Sequence, residues 1–140
     1  MKTTFKELLD QVSRFAGVLA GDKFKVKKGD RVMIYMPMIT EAYVAIYAAA
    51  RLGAPHSVVF GGFAAKELAS RIRDAKPTVL ITASVGQEPG KLIDYSKLAK
   101  EAAEIAGVPD LKTIIVNRDH LKPTSIKGDN IYDFKELMAQ

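Results

Sequence analysis

Residues 29–62, GDRVMIYMPMITEAYVAIYAAARLGAPHSVVFGG, alternate apolar runs with turn residues in an order that very few folds accept. A short apolar run containing Val32 and Ile34 opens after Gly29 and Asp30 and closes at Pro37, as a strand buried on both faces does. Thr40 is placed to cap a helix through its hydroxyl, and Gly53 to end it in a left-handed conformation that costs glycine nothing. A second apolar run, 58–60, follows and stops at Gly61 and Gly62. Two parallel strands need a crossover of roughly a dozen residues or more, and this spacing supplies one.

Between the strands, the helix predicted over 40–52 carries Ala42, Val44, Ala45, Ile46, Ala48, Ala49 and Ala50, small or apolar nearly all the way round. A helix of that kind is buried. It is too short for a bilayer, since ~13 residues at ~1.5 Å rise reach ~20 Å against a hydrocarbon core of ~30 Å. Burial in a layered α/β domain is the reading that remains.

The rest of the chain repeats the theme. Thr4 with Glu7 has capping-box spacing, and Phe5, Leu8, Leu9, Val12, Phe15, Ala16 and Leu19 give a helix over 5–20 one apolar face, with Gly21 ending it. A second crossover helix is predicted over 65–75, with Leu68, Ala69, Ile72 and Ala75 inward and Lys66, Arg71, Arg73 and Asp74 outward, broken by Lys76 and Pro77. Residues 78–82, TVLIT, form the next strand by their β-branched content, and 83–91, ASVGQEPGK, read as a loop. A helix over 95–106 stops at Gly107 and Pro109, and a strand over 113–116 follows. Residues 117–130 are polar and turn-rich, and Asp133 with Glu136 opens a last short helix. Helices alternating with strands define one α/β domain with a mostly parallel sheet. The order also implies an incomplete domain, because no strand precedes the first helix and the last has nothing recognisable to pack under.

Composition narrows the chemistry. With 48% hydrophobic residues in 140 the chain can build an ordinary core. It has no cysteine, which excludes disulfides and thiolate chemistry, and only His56 and His120 as imidazoles, too few for a histidine metal cluster. The first residues, MKTTFKELLDQ, are amphipathic and carry no apolar signal core, so a cytoplasmic protein is expected. The formal charge of +5 does not point to nucleic acid, because the lysines are scattered and the densest group, DKFKVKKGD, lies beside acids in a connection.

Two stretches are candidates for a ligand contact. The turn Phe60, Gly61, Gly62, Phe63 lacks both the dinucleotide and the phosphate-loop glycine spacing, and reads either as a tight strand-to-helix turn or as backbone that a ligand approaches closely. Gly86, Glu88, Gly90 and Lys91 lie just past a strand end, where open parallel sheets place ligands, with a cation that suits phosphate. His56 beside Pro55 is expected to pack and hydrogen-bond locally, and Met36 and Met38 to fill the core. No serine nucleophile with a base and no carboxylate pair stands out.

The strings TFKELLDQVSRFAGVL, KKGDRVMIYMPMITEAYVAIYAAARLGAPHSVVFGGFAAKELASRIRDAKPTVLITAS and EPGK resemble the amino-terminal domain of short-chain acyl-CoA synthetases. These are the AMP-forming acetyl- and propionyl-CoA synthetases of the adenylate-forming ligase superfamily. The likeness is strongest over 28–91 and fades after Gly107, and EPGK leans towards the propionyl-like branch. It implies a reaction in which a carboxylate and ATP give an acyl-adenylate and pyrophosphate, and the CoA thiol then displaces AMP. It also implies that Phe60, Gly61, Gly62, Gly90 and Lys91 lie near the nucleotide end of CoA. Glu88 stands where acetyl-type relatives carry an arginine, and an acid there repels phosphate.

The family's phosphate loop, ribose-binding aspartate, acyl pocket and adenylation lysine have no counterpart in these 140 residues. The resemblance therefore implies a partial amino-terminal domain over 1–140, inactive alone, for which CoA, ATP and magnesium are ligands of the whole enzyme and none binds tightly. The alternative is a stand-alone α/β module that holds CoA or pairs with a complementary chain. Uncovered strand edges would favour such pairing or self-association, and neither nucleic acid nor a membrane is an expected partner. For a eukaryotic source with a missing leader the mitochondrial matrix replaces the cytoplasm.

Overall fold

In the computed structural model, which describes residues 4–59, 64–88, 90–118, 121, 126 and 128–139, and of Glu88 the backbone alone, helices and strands alternate along the chain. The order is α1 (Phe5–Ala20), β1 (Val32–Tyr35), α2 (Thr40–Arg51), β2 (His56–Val59), α3 (Ala65–Ala75) and β3 (Val79–Ala83). There follow β4 (Gly86–Glu88), β5 (Lys91–Ile93), α4 (Tyr95–Ile105), β6 (Lys112–Val116), β7 (Ile131–Asp133) and α5 (Phe134–Met138).

Five strands form one parallel sheet in the order β2-β1-β3-β6-β7. The chain steps from β1 outward to β2 and then returns past β1 to β3, so its direction across the sheet reverses at the β1/β3 boundary. Because side chains alternate along a strand, β1, β2 and β3 each feed two cores. Val32, Ile34, Val79, Ile81, Ala83, Ile114 and Val116 pack with α1, α2 and α5. Met33, Tyr35, Val59 and Leu80 pack on the opposite face with α3 and α4. All four positions of β1 and all five of β3 are buried, which is why their sequences read as unbroken apolar runs.

Local chemistry sets the ends. The Thr4 hydroxyl accepts from the Glu7 amide at 3.1 Å, and Gly53 takes φ +70 after α2. Glu67 accepts from the Ala64 amide at 3.2 Å, while Ala64, with no side-chain acceptor, takes the Glu67 and Leu68 amides on its carbonyl at 3.1 Å each. Lys76 ends α3 in the left-handed region at φ 48, with the Arg31 guanidinium donating to the carbonyls of Ala75 and Lys76.

Several expectations need correction. Thr40 is the first helical residue and the cap position falls to Ile39, which makes no side-chain bond, because residue 39 is the last extended one. Helix α2 is not buried all round: Tyr43 and Tyr47, one turn apart, are 45% and 51% exposed. Residues 83–91 are not a loop but lead into the antiparallel hairpin β4–β5. Strand β7 fills the short stretch between the polar segment 117–130 and the last helix, where no element is expected, and lies beside β6 with Asn130 donating to the Leu111 carbonyl at 2.9 Å. Helix α5 does have a surface to pack on: Phe134 meets Phe15 of α1 at 4.9 Å between ring centroids.

Candidate functional site

Parallel strands end together, and the loops that leave their carboxyl ends share one edge of the sheet. Tyr35 is in register with Val59 on one side and Thr82 on the other, and the Thr82 hydroxyl donates to the Tyr35 carbonyl at 2.5 Å. The chain after Val59 and the chain after Ala83 thus leave the same edge, two strand spacings or ~10 Å apart. Phe60, Gly61 and Gly62 lie outside the described residues.

The hairpin that follows β3 is rooted by several bonds. The Ser84 amide donates to the Val116 carbonyl at 2.9 Å, and the Ser84 hydroxyl accepts from the Arg118 amide at 2.9 Å. The Arg118 guanidinium reaches the Val85 carbonyl at 3.4 Å. On the other strand, Asp94 caps α4 by accepting from the Lys97 amide at 2.9 Å and from the Ser96 hydroxyl at 2.8 Å. Register pairs Gly86 with Ile93, Gln87 with Leu92 and Glu88 with Lys91. Gly90 turns the chain at φ +81, with nothing within 4 Å of where a Cβ would stand, so a ligand can approach its backbone. Lys91 is exposed beside it.

Of the sequence candidates, the structure therefore brings Gly90 and Lys91 together at an open tip. Gly86 serves differently, buried against the Tyr95 ring. His56 is exposed instead of packed, and stands at the amino end of β2, across the sheet from this edge. Met36 is core as expected, but Met38 is 48% exposed because it follows Pro37 out of the sheet. Residues that sequence reasoning passed over also meet here. Asn117 donates to Asp133, and with Met38, Ile39, Thr40, Glu41, Val116 and Arg118 it lines an open cleft of about 560 Å³. For Asn117 and Arg118 the signal is position alone, directly past the end of β6.

Lys91 supplies charge and Gly90 supplies accessible backbone, while among the described residues no group of three or more His, Cys, Asp or Glu could hold a metal ion. No helix among them is long and apolar enough to cross a membrane.

The model of the family described as AMP-binding enzyme matches residues 1–137. The chain belongs to that family. It is 47% identical over 98% of its length to the human protein "Acyl-CoA synthetase short-chain family member 3, mitochondrial", covering 20% of that protein. It is 42% identical, again over 98% of its length, to "Propionate--CoA ligase" of Escherichia coli strain K12, covering 21% of it. Among solved structures, "Acetoacetyl-CoA Synthetase from Streptomyces lividans" superposes on the whole chain with a TM-score of 0.84 at 27% identity, over 21% of its own length. The chain thus spans about a fifth of the length of the relatives it matches. The α/β architecture expected from the sequence is the one found, shared with the synthetase from Streptomyces lividans.

Proposed function

We propose that the chain forms part of the amino-terminal domain of an AMP-forming short-chain acyl-CoA synthetase of the acetyl or propionyl type. In that reaction a short carboxylate and magnesium-bound ATP give an acyl-adenylate and pyrophosphate. The CoA thiol then attacks the acyl carbonyl, AMP leaves, and the thiol proton is released. The identity to propionate–CoA ligase along 98% of the chain carries this reading.

Within such an enzyme, Phe60, Gly61, Gly62, Gly90 and Lys91 receive the nucleotide end of CoA. Support comes from an exposed cation beside an open glycine at the carboxyl edge of a parallel sheet. Glu88 is set opposite Lys91 by the hairpin register and weakens the phosphate contact. CoA is therefore expected to bind the 140-residue chain weakly and in a salt-sensitive way. Calorimetric titration checks it: Lys91→Glu removes the heat of binding, and equal CoA affinity in the two forms rejects the placement.

The same 140 residues contain no glycine-, serine- and threonine-rich phosphate loop, so no acyl-adenylate is expected from them alone. Incubation with ATP, magnesium and acetate or propionate should release no pyrophosphate above a boiled control. Among the described residues strands β2 and β7 end the sheet on either side, and sedimentation run alongside tests the self-association that open edges favour.

A further inference from the structure

Gly86 cannot be any other residue without moving something. A Cβ built on it would stand 2.0 Å from Tyr95 Cε2 and 2.9 Å from both Cδ2 and Cζ. The ring has nowhere to retreat, because Tyr95 is 2% exposed and meets fully buried Tyr35 edge-on at 4.9 Å between centroids. Tyr35 belongs to β1, the strand at the topological reversal, and Tyr95 begins α4, directly after the hairpin. The hairpin thus rests on an aromatic pair anchored in the central sheet.

Strand alternation carries this contact to the tip. Gly86 and Ile93 face the same side of the hairpin as Lys91, while Gln87 and Leu92 face the other side and are exposed. Lys91 is two residues, ~7 Å, beyond Ile93 on the seated face. Relieving a 2.0 Å approach to an ordinary carbon contact of ~3.5 Å requires a displacement of ~1.5 Å. Direct hydrogen bonds to a ligand tolerate only about 0.5 Å of spread, so a shift of that size at the root breaks them at the tip.

We propose that the Tyr95 ring and Gly86 form a seat that fixes the hairpin and thereby the position of Gly90 and Lys91, making both of them positioning residues for the CoA contact. The functional meaning rests on the CoA reading of the tip, whereas the seat itself stands on geometry. The test compares Gly86→Ala, Tyr95→Leu, Tyr95→Phe and the Gly86→Ala/Tyr95→Leu pair in the 140-residue chain, by amide hydrogen exchange and CoA titration. Gly86→Ala should speed exchange across 86–93 by about tenfold or more and leave β1, β3 and β6 as in the parent chain. In the Tyr95→Leu background, where no ring stands in the way, the same glycine substitution should add less than about a twofold change. Tyr95→Phe keeps the ring and should loosen the hairpin less than Tyr95→Leu does.

Equal effects of Gly86→Ala in both backgrounds, or parent-like exchange in Gly86→Ala, would overturn the seat. Should Gly86→Ala fail to fold, Tyr95→Leu alone decides: hairpin exchange unchanged from the parent overturns it, and selective loosening supports it. The two readings separate cleanly with CoA. Binding lost in Lys91→Glu but intact in a loosened Gly86→Ala chain overturns the positioning role and leaves the tip as a CoA contact. Binding indifferent to Lys91→Glu removes the CoA reading, and with it the positioning role, while the exchange data still judge the seat.

Discussion

Strands β1 and β3 and the hairpin β4–β5 adjoin one another, yet they are held by different means. The two strands have parallel neighbours on both edges and helices on both faces, and none of their nine residues, four in one and five in the other, is exposed. Among the described residues each hairpin strand has a single partner, and the outer face, Gln87 and Leu92, lies open to solvent. Stability in the sheet is spread over many side chains, so that no single one decides where a strand lies. The hairpin's contacts gather at its root, where Gly86 lies against the Tyr95 ring, Ser84 accepts from the Arg118 amide and Asp94 caps α4. Segments with few buried contacts open more readily than a core, and the contrast shows how such a segment is still kept in place.

The comparison breaks most visibly in the sheet. Leu80 of β3 is fully buried against the α3/α4 layer, so Leu80→Ala should lower global stability by ~2–5 kcal/mol, read as a fall in the urea midpoint. Loosening confined to one helix, with the midpoint kept, would mean that the sheet is not the cooperative unit. Asp94→Ala should cost ~1 kcal/mol by removing the α4 cap, and unlike Leu80→Ala it should speed hairpin exchange more than sheet exchange. Uniform acceleration would place Asp94 with the sheet instead.

Lys76→Gly acts in the opposite direction. Lys76 holds a left-handed conformation at φ 48 that glycine adopts freely, and α4 already has Gly107 at φ +81 just past its end. The substitution should raise stability by ~0.5–1 kcal/mol, a small rise in thermal midpoint, with hairpin exchange unchanged. A lowered midpoint would show that the Lys76 side chain contributes more than its backbone strain costs.

Much of the body could be read from the sequence because its causes are local. The period of Phe15, Ala16 and Leu19, the capping pairs Thr4/Glu7 and Asp133/Glu136, and the apolar runs of β1 and β3 each announce an element within a few residues. The candidate site was only half legible. Gly90 and Lys91 were picked out by a turn glycine next to a cation past a strand end, which the tip preserves. Gly86, grouped with them, has a structural reason that depends on Tyr95 across the hairpin, and no local pattern encodes that contact. The hairpin was read as a loop because its glycines and proline signal turns, while its pairing comes from register. Strand β7 is hard to see because three half-buried residues carry no period, and the exposed side of α2 because its many alanines mask the stripe that Tyr43 and Tyr47 mark.

The smallest effect sharpens the contrast from the hairpin's other side. Leu92 is 48% exposed, paired with exposed Gln87, and turned away from the face that carries Gly86 and Ile93. If the hairpin is held from its root and inner face, removing the isobutyl group from the outer face removes little. Leu92→Thr keeps a residue suited to a strand and should change global stability by less than ~0.5 kcal/mol, within the range of surface substitutions away from structural features. Exchange across 86–93 should stay within about twofold of the parent, against about tenfold for Gly86→Ala. The pair of measurements distinguishes two ways of holding a short hairpin. Should Leu92→Thr loosen it as much as Gly86→Ala does, the outer face is packed in solution and the Tyr95 ring is not its principal support.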